Sequence, residues 1–257
     1  MTAAAAFGVD AGSTTCKVVA VDAAGALLAS RLEPTRPRLE EQAASLVAAL
    51  AADLGLPGPP AVVATGYGRQ LVREAARRVT EITCHARGAF RALGHGGTLV
   101  DIGGQDAKAI RIGPDGRPVD FAMNDKCAAG TGRFLEHTAA RLGVEVADLG
   151  ARALAASTEE SISSTCTVFA ESEIISLIGR GADLDAIIRG LHRSLVGRIV
   201  AMARTVGLAP PLILSGGVAL NPGVRAMMAE AAGMPVLLPP HPQLMGAYGA
   251  ALLALEA

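Results

Sequence analysis

The sequence contains one short passage twice. The first copy reads Gly8-Val-Asp-Ala-Gly-Ser-Thr-Thr-Cys-Lys17, and the second reads Leu99-Val-Asp-Ile-Gly-Gly-Gln-Asp-Ala-Lys108. Four identities recur at an offset of 91 residues: Asp10 with Asp101, Gly12 with Gly103, Lys17 with Lys108, and Gly25 with Gly116. Each copy runs as an apolar strand, a glycine turn, a second apolar strand and another glycine turn, which is typical of a β-hairpin. The repeat predicts two related lobes, each offering one glycine loop to a shared cleft.

The composition predicts a well-packed protein and argues against several function classes. Of the 257 residues, 51% are hydrophobic and 18% are charged, so the chain can bury a large core and disorder is not expected. A net charge of −1 gives no basic excess for binding nucleic-acid phosphates. The uncharged stretches 205–224 and 231–255 contain several prolines, which favours buried structure over membrane spans. The N-terminus has no basic region, which predicts no secretory signal, a cytoplasmic location and reduced thiols.

The order of apolar patterns predicts an α/β protein of two related lobes with a duplicated β-hairpin core. The first lobe is expected over residues 1–97 and the second over 98–257, with the last helix returning to the first lobe. Hairpins are predicted at 7–30 and 98–120, and further strands at 61–65, 211–215 and 235–238. Helices are predicted near 40–53, 69–78, 85–93, 129–142, 145–154, 167–179, 183–206, 222–232 and 243–255.

Both repeated turns carry residues suited to phosphate binding. The first glycine loop, Gly12-Ser-Thr-Thr15, brings backbone N–H groups and hydroxyls together with little steric bulk. Asp10 and Asp101 stand at strand ends beside the loops, where a carboxylate can hold a hydrated Mg²⁺. Ordinary turn chemistry is the alternative, because Asp and Gly are common in turns for steric reasons. The presence of two such loops favours phosphate binding.

A third glycine element follows an apolar strand in Pro211-Leu-Ile-Leu-Ser-Gly-Gly-Val-Ala-Leu-Asn221. A strand, then Gly216-Gly217, then a helix near Pro222 allows backbone to approach a flat ligand closely. The pattern suits an adenine with its ribose. Close packing between the strand and the helix is the other interpretation.

Four cysteines fall into two groups. Cys127 and Cys166 each precede an apolar, helix-like run, and a helix N-terminus lowers the pKa of a thiol and makes it a better metal ligand. Two cysteines can supply half the ligands of a [4Fe–4S] cluster, and a two-fold dimer can supply all four. Their separation of 39 residues without a CxxC motif fits packing residues equally well. Cys16 and Cys84 are predicted to be structural.

Six passages together resemble the activator ATPases of 2-hydroxyacyl-CoA dehydratases, whose relatives include the ATPase subunits of benzoyl-CoA reductase. They are Asp10–Thr14, Ala64–Arg69, Glu81–Ala86, Asp101–Asp106, Asn124–Arg133 and Ser163–Ser172. The resemblance extends from about residue 7 to residue 255, although segment 31–60 has no strong match. The glycine loops are shared with the wider actin, Hsp70 and sugar-kinase superfamily, whereas the two cysteine passages are specific to the activators.

The resemblance implies a role for each matching residue. It implies that Cys127 and Cys166 ligate one [4Fe–4S] cluster shared by the two subunits of a homodimer. It implies two phosphate loops for ATP or ADP and an adenosine loop, with Asp10 orienting Mg²⁺ through water and Gln105 or Asp101 positioning the attacking water. The nucleotide-binding residues are Gly12, Ser13, Thr14, Thr15 and Lys17, then Gly103, Gly104 and Asp106, then Gly216 and Gly217, with Gln243 near the base.

The activity implied by the resemblance is ATP-driven transfer of one electron. Reduced ferredoxin or flavodoxin supplies the electron, and a partner 2-hydroxyacyl-CoA dehydratase receives it. The helices that begin near Cys127 and Cys166 are expected to change angle as the lobes close around the nucleotide. Three alternatives stay open: a subunit of a benzoyl-CoA-reductase-type complex, a small-molecule kinase of the same superfamily, and a non-catalytic ATP-sensing module.

Overall fold

The protein forms two compact units, each built on its own sheet. A computed structural model describes residues 4–124, 128–163 and 167–256. Unit 1 comprises Met1–Gly96, Ile112–Val119 and Gln243–Ala257, and unit 2 comprises Gly97–Arg111 and Asp120–Pro242. The chain therefore first leaves unit 1 after Gly96, and it returns to unit 1 twice.

Strands and helices of the described residues follow one another in this order. They are β1 (Ala6–Ala11), β2 (Thr15–Val21), β3 (Leu27–Pro34), α1 (Leu39–Asp53), β4 (Ala61–Thr65), β5 (Arg77–Arg78), α2 (Glu81–Leu93), β6 (Gly97–Ile102), β7 (Ala107–Ile112), β8 (Pro118–Asn124), α3 (Gly132–Leu142), α4 (Leu149–Ala155), α5 (Thr167–Gly179), α6 (Leu184–Thr205), β9 (Leu212–Ser215), α7 (Pro222–Ala232), β10 (Val236–Leu237) and α8 (Met245–Ala254). None of these helices combines the length and the apolar character that crossing a membrane requires.

The sheet of unit 1 has the strand order β3-β2-β1-β4-β5. The central strand β1 runs antiparallel to β2 and parallel to β4, which places Asp10 between Lys17 and Thr65. One face of the sheet packs on α1 through residues such as Phe7 and Leu50. The other face packs on α8, and α2 packs against α8 in turn, with many small side chains in this layer. The end of β1 is thus held rigidly between two layers of helices.

The sheet of unit 2 repeats this design, with the order β8-β7-β6-β9-β10. Its central strand β6 runs parallel to β9, as β1 runs parallel to β4, and β10 continues the parallel set as β5 does. Asp101 on β6 lies beside Ser215 on β9, the position that corresponds to Asp10 beside Thr65. The predicted duplication of the hairpin core is confirmed.

Two features of the first sheet and one of the second differ from the sequence-based expectation. The helix predicted near 69–78 is wrong: residues 69–71 form one 3₁₀ turn and residues 77–78 pair with β4. The N–H groups of Ala76 and Val79 donate to carbonyls of β4, so sheet pairing outweighs the local helical pattern. The outer strands β3 and β8 were not predicted as strands of their own. Each lies at an edge of its sheet, and its residues are half-buried or exposed.

Candidate functional site

The first glycine loop connects β1 to β2 in unit 1 and is fixed by a residue of another strand end. Thr35 donates its backbone N–H to the carbonyl oxygen of Thr14 at 2.9 Å. The same residue donates its hydroxyl to the carbonyl oxygen of Gly12 at 2.7 Å. Because these two loop carbonyls face Thr35, the loop has a defined shape without a bound ligand, while Ser13 stays exposed.

Thr14 carries a polar atom that the protein leaves unsatisfied. Its Oγ1 is buried and has no hydrogen-bond partner among the described residues. A buried hydroxyl without a partner costs free energy, so such an atom calls for an explanation. A phosphate oxygen in the loop would accept its proton, and the residues present therefore fit a phosphate group.

Asp10 lies beside this loop with a lysine as its partner. Asp10 is 4% exposed, and Lys17 Nζ approaches its Oδ2 at 2.9 Å. The pair is positioned by the β1–β2 register, which sets the two residues opposite each other. A buried carboxylate at a strand end is a hard oxygen donor of the kind that Mg²⁺ prefers, so the donor set fits that ion.

The second glycine loop, Gly103–Asp106, begins at the equivalent strand end in unit 2. Asp101 accepts a hydrogen bond from Ser215 Oγ at 2.7 Å, and both side chains are buried. Lys108 is 2% exposed, and its Nζ lies 2.6 Å from Asp106 Oδ2 and 3.7 Å from Asp101 Oδ2. Gln105 at the tip of the loop is exposed. A buried cation between two carboxylates thus holds the base of the loop.

The second glycine loop is bonded directly to the start of α3. Gly132 N donates to Gly103 O, and Arg133 N donates to Gly104 O, both at 2.8 Å. These are among the N–H groups that a helix cannot satisfy internally, so the loop acts as the cap of the helix. A Cβ on Gly132 would lie only 3.2 Å from Gly103 O, which explains the absence of a side chain there. The loop and the first turn of α3 are therefore joined by two backbone hydrogen bonds.

The third glycine element brings the ends of β9 and β6 together. Gly216 has φ +85°, and a Cβ there would lie 2.3 Å from Ile102 O. Its N–H donates to Pro242 O at 3.0 Å, and Gly217 begins a 3₁₀ turn that leads to α7. Gln243 is half-buried in the 3₁₀ turn that precedes α8. Close packing of strand ends accounts for Gly216, while Gly217 is exposed next to it.

Two of the four cysteines lie among the described residues and two do not. Cys127 and Cys166 lie outside the described residues, but α3 begins five residues after Cys127 and α5 begins directly after Cys166. Cys16 and Cys84 are buried, and burial raises the pKa of both thiols to about 12. The prediction that these two are structural is confirmed. Among the described residues, no three His, Cys, Asp or Glu side chains are grouped as a metal site.

Comparison with known proteins assigns the family. Residues 7–254 match the sequence profile of the BadF/BadG/BcrA/BcrD ATPase family. The chain belongs to this family. The (R)-2-hydroxyglutaryl-CoA dehydratase activating ATPase of Acidaminococcus fermentans is 40% identical over 252 residues, which cover 97% of this chain and 96% of that protein. The 2-hydroxyisocaproyl-CoA dehydratase activator of Clostridioides difficile is 44% identical over 195 residues, which cover 76% and 73% of the two chains.

Solved structures show the same relationship. The activator of the 2-hydroxyisocaproyl-CoA dehydratase from Clostridium difficile with bound ADPNP matches with a TM-score of 0.90 and 39% identity, covering 98% of this ATPase and 94% of that chain. A ROK family glucokinase from Streptomyces griseus matches with a TM-score of 0.60 at 17% identity, covering 98% and 99% of the chains. This second likeness is one of fold alone, and it confirms the predicted sugar-kinase-type fold.

Two features of this ATPase were missed by reasoning from its sequence. Thr35 lies in a segment that carries no recognisable motif, so nothing pointed to its bonds with the first glycine loop. His192 on α6 is fully buried, with Nδ1 at 2.8 Å from Ile188 O and Nε2 at 3.0 Å from Asn221 Nδ2. This arrangement requires the neutral ring with its proton on Nδ1, and burial lowers the pKa of His192 accordingly. The network fixes the start of α7, next to the third glycine element.

Proposed function

We propose that this ATPase accepts one electron from reduced ferredoxin or flavodoxin and passes it to a 2-hydroxyacyl-CoA dehydratase at the expense of ATP. The names of its relatives support the dehydratase as partner. The observation that carries the proposal is the pair of 2.8 Å hydrogen bonds between the second glycine loop and the start of α3. That helix begins just after one of the two cysteines proposed to hold the redox centre.

These hydrogen bonds give a physical route from nucleotide to helix. Gly103 and Gly104 are small, half-buried residues whose carbonyls accept hydrogen bonds from the start of α3. The N–H groups on the opposite sides of these two peptides are those of Gly104 and Gln105, whereas the Gly103 N–H already donates to Asp106 O at 2.9 Å. A phosphate bound to such N–H groups would reorient the peptides, and the first turn of α3 would follow. A ligand can bias two states only by its different affinity for each, and the proposal places that difference in the orientation of these two peptides.

Each glycine loop has its own task in the proposal. Thr14 donates its hydroxyl to a phosphate oxygen, and Lys17 holds the Asp10 carboxylate in place through its hydrogen bond. Mg²⁺, when bound near Asp10, neutralises charge on the phosphates. The exposed amide of Gln105 or the carboxylate of Asp101 orients the attacking water. Ser13, Thr15 and Asp106 complete the two phosphate loops, and Gly216, Gly217 and Gln243 bind the adenosine.

Cys127 and Cys166 are the proposed ligands of the redox centre. Two cysteines of one chain and two of a second copy would hold one [4Fe–4S] cluster in a homodimer, and the cluster supplies a one-electron carrier. The start of α5 directly after Cys166 supports this assignment, because N–H groups at a helix start favour a thiolate.

One experiment separates this proposal from its rivals. The protein is purified without oxygen, and iron, sulfide, mass in solution and the EPR spectrum of the reduced form are measured. We expect about four irons per dimer, loss of iron in Cys127→Ser and Cys166→Ser, and ATP-dependent electron delivery to a dehydratase that Asp10→Ala abolishes without loss of iron. An iron-free protein that phosphorylates a sugar would replace the proposal with the kinase alternative.

A further inference from the structure

We propose that Thr65 is a positioning residue for Asp10, and that its hydroxyl donates to the Asp10 carboxylate when a phosphate attracts Lys17. The inference rests on the phosphate site proposed for the first glycine loop, and it adds a residue from a different strand to that site. The internal repeat carries the argument, because the two units hold equivalent side chains in two different arrangements.

Thr65 is the last residue of β4 and lies opposite Asp10 in the parallel register. It is fully buried, and its Oγ1 has no oxygen or nitrogen partner among the described residues. The side chain that interacts with it is Cys84, and a thiol is a weak hydrogen-bonding group. Most of the hydrogen-bonding capacity of this hydroxyl is therefore unused, and a buried hydroxyl in that state costs free energy.

Unit 2 contains the equivalent pair with the hydrogen bond made. Ser215 lies opposite Asp101 in the register of β9 and β6. This is the relation that Thr65 has to Asp10 in unit 1. Ser215 Oγ donates to Asp101 Oδ1 at 2.7 Å, and both side chains are buried. Register partners on parallel strands point to the same face of the sheet, so the backbone arrangement that allows this bond in unit 2 is also present in unit 1.

The lysines of the repeat account for the difference between the two aspartates. In unit 1, Lys17 Nζ lies 2.9 Å from Asp10 Oδ2. In unit 2, the equivalent Lys108 Nζ lies 2.6 Å from Asp106 Oδ2 and 3.7 Å from Asp101 Oδ2. The aspartate with its lysine at hydrogen-bond distance makes no bond to the neighbouring hydroxyl, whereas the aspartate with the more distant lysine does.

Asp106 supplies the negative charge that holds the lysine of unit 2. At the equivalent position, 91 residues earlier, the first glycine loop has the uncharged Thr15. A phosphate in the first glycine loop would bring a negative charge to this part of unit 1. Lys17, whose side chain is 15% exposed, would then be attracted to the phosphate as Lys108 is to its carboxylate. In the ligand-free protein Lys17 holds the aspartate, and the hydroxyl of Thr65 takes over when the lysine moves.

This assignment predicts opposite effects of one substitution on stability and on binding. In the ligand-free protein, Thr65→Val replaces an unsatisfied hydroxyl with a methyl group of similar size, so it removes a cost and breaks no bond to oxygen or nitrogen. In the nucleotide-bound protein, the same change removes a hydrogen bond to a carboxylate. A residue with a structural role alone would instead lower stability when replaced and leave nucleotide affinity unchanged.

The test measures urea unfolding of the ligand-free protein and, by calorimetry, the Kd of the ATP analogue ADPNP with Mg²⁺. Thr65→Val is compared with Thr65→Ser, which keeps the hydroxyl, and with Thr98→Val, a matched change in unit 2. Thr98 is fully buried, and its Oγ1 accepts the Ala209 N–H at 2.7 Å. Thr14→Val tests the proposed phosphate site separately.

We expect Thr65→Val to leave the urea midpoint unchanged or to raise it. The same variant should bind ADPNP at least about tenfold more weakly, the factor that corresponds to a hydrogen bond to a charged group. Thr65→Ser should bind like the parent, because it keeps the donor. Thr98→Val should lower the urea midpoint, since it leaves a buried N–H without its acceptor, and should not change the Kd.

A lower urea midpoint in Thr65→Val, at an unchanged m-value, would show that the hydroxyl already has a partner in the ligand-free protein and would overturn the inference. Parental ADPNP affinity in Thr65→Val would overturn it as well. Weaker binding in Thr14→Val would then confine the failure to Thr65, whereas parental affinity in both variants would also refute the phosphate site. Neither readout involves electron transfer, so a failure of the proposed redox activity is detected separately.

Discussion

Replacing Gly132 with alanine is expected to weaken the connection between the second glycine loop and α3. The new Cβ would lie 3.2 Å from Gly103 O, 3.3 Å from Gly104 Cα and 3.3 Å from Val218 Cγ2. Two of these atoms belong to the loop backbone, which cannot rotate away as a side chain can. The helix start must therefore shift away from the loop by a few tenths of an ångström.

The magnitude follows from the two hydrogen bonds that the shift would lengthen. Each is worth about 1 kcal/mol net, so their loss would weaken the local connection by at most about 2 kcal/mol. Alanine gains back at most about 1 kcal/mol over glycine in a helix. Global stability should therefore fall by only about 1 kcal/mol, while local opening of the first turn of α3 should increase by up to about 30-fold.

Hydrogen exchange measures this opening directly. The amides of residues 132 and 133 should exchange about 10- to 30-fold faster in Gly132→Ala than in the parent. Gly197→Ala is the matched control, because Gly197 lies exposed in α6 with no atom near its would-be Cβ. The control should leave α3 unchanged and stabilise the protein by up to about 1 kcal/mol. Unchanged exchange at 132 and 133 in Gly132→Ala would refute the coupling argument.

Three further results are expected. Burial lowers the pKa of His192 below its usual value of 6.5, so between these two pKa values the unfolded chain binds one more proton than the folded chain. The contribution of the neutral ring to the free energy of unfolding is therefore fully present above pH 6.5 and should fall below it by up to about 1.4 kcal/mol per pH unit. Urea unfolding at pH 7.5 and 5.5 tests this, and a pH dependence that persists unchanged in His192→Gln would contradict it. Gly249→Ala places a Cβ 1.8 Å from the Cys84 carbonyl oxygen and should destabilise the protein by more than about 3 kcal/mol in thermal unfolding, since α2 and α8 must separate. With pKa values of about 12, Cys16 and Cys84 should react with a thiol reagent at pH 8 at least about 1000-fold more slowly in the native than in the unfolded protein, and rapid native labelling would show the burial to be wrong.

The sequence was most informative where local pattern and tertiary structure agree. The strand 61–65 and the helix 167–179 were predicted to the residue. A short β-branched run matches the buried strand, and the helical spacing of Ala170, Ile174 and Leu177 matches the buried side of the helix. The 91-residue repeat predicted both sheets, since it identifies the hairpin on which each is built. The helix expected near 69–78 failed because pairing with β4 depends on residues far away in the chain.

The candidate site was predictable in its residue types but not in its connections. Asp10, Asp101 and the glycine loops follow from the repeated passage. The bonds from Gly132 and Arg133 to the second glycine loop, and the support from Thr35, join segments between about 20 and 30 residues apart that no periodicity relates. Long-range backbone hydrogen bonds of this kind leave no mark on composition.

The membership of α8 in unit 1 has a consequence for how the protein is made. The face of the first sheet that carries Val19 and Val63 is covered by α8, whose inner surface includes Ala247 and Ala251. During translation, this face stays uncovered until α8 leaves the ribosome, although the strands that form it are synthesised well before α8. Unit 2 can complete its own sheet before that point. The first sheet, although its strands precede unit 2 in the chain, is therefore the later of the two to reach its native packing. Chains that end before α8 would expose the apolar face of the first sheet, and we expect them to aggregate.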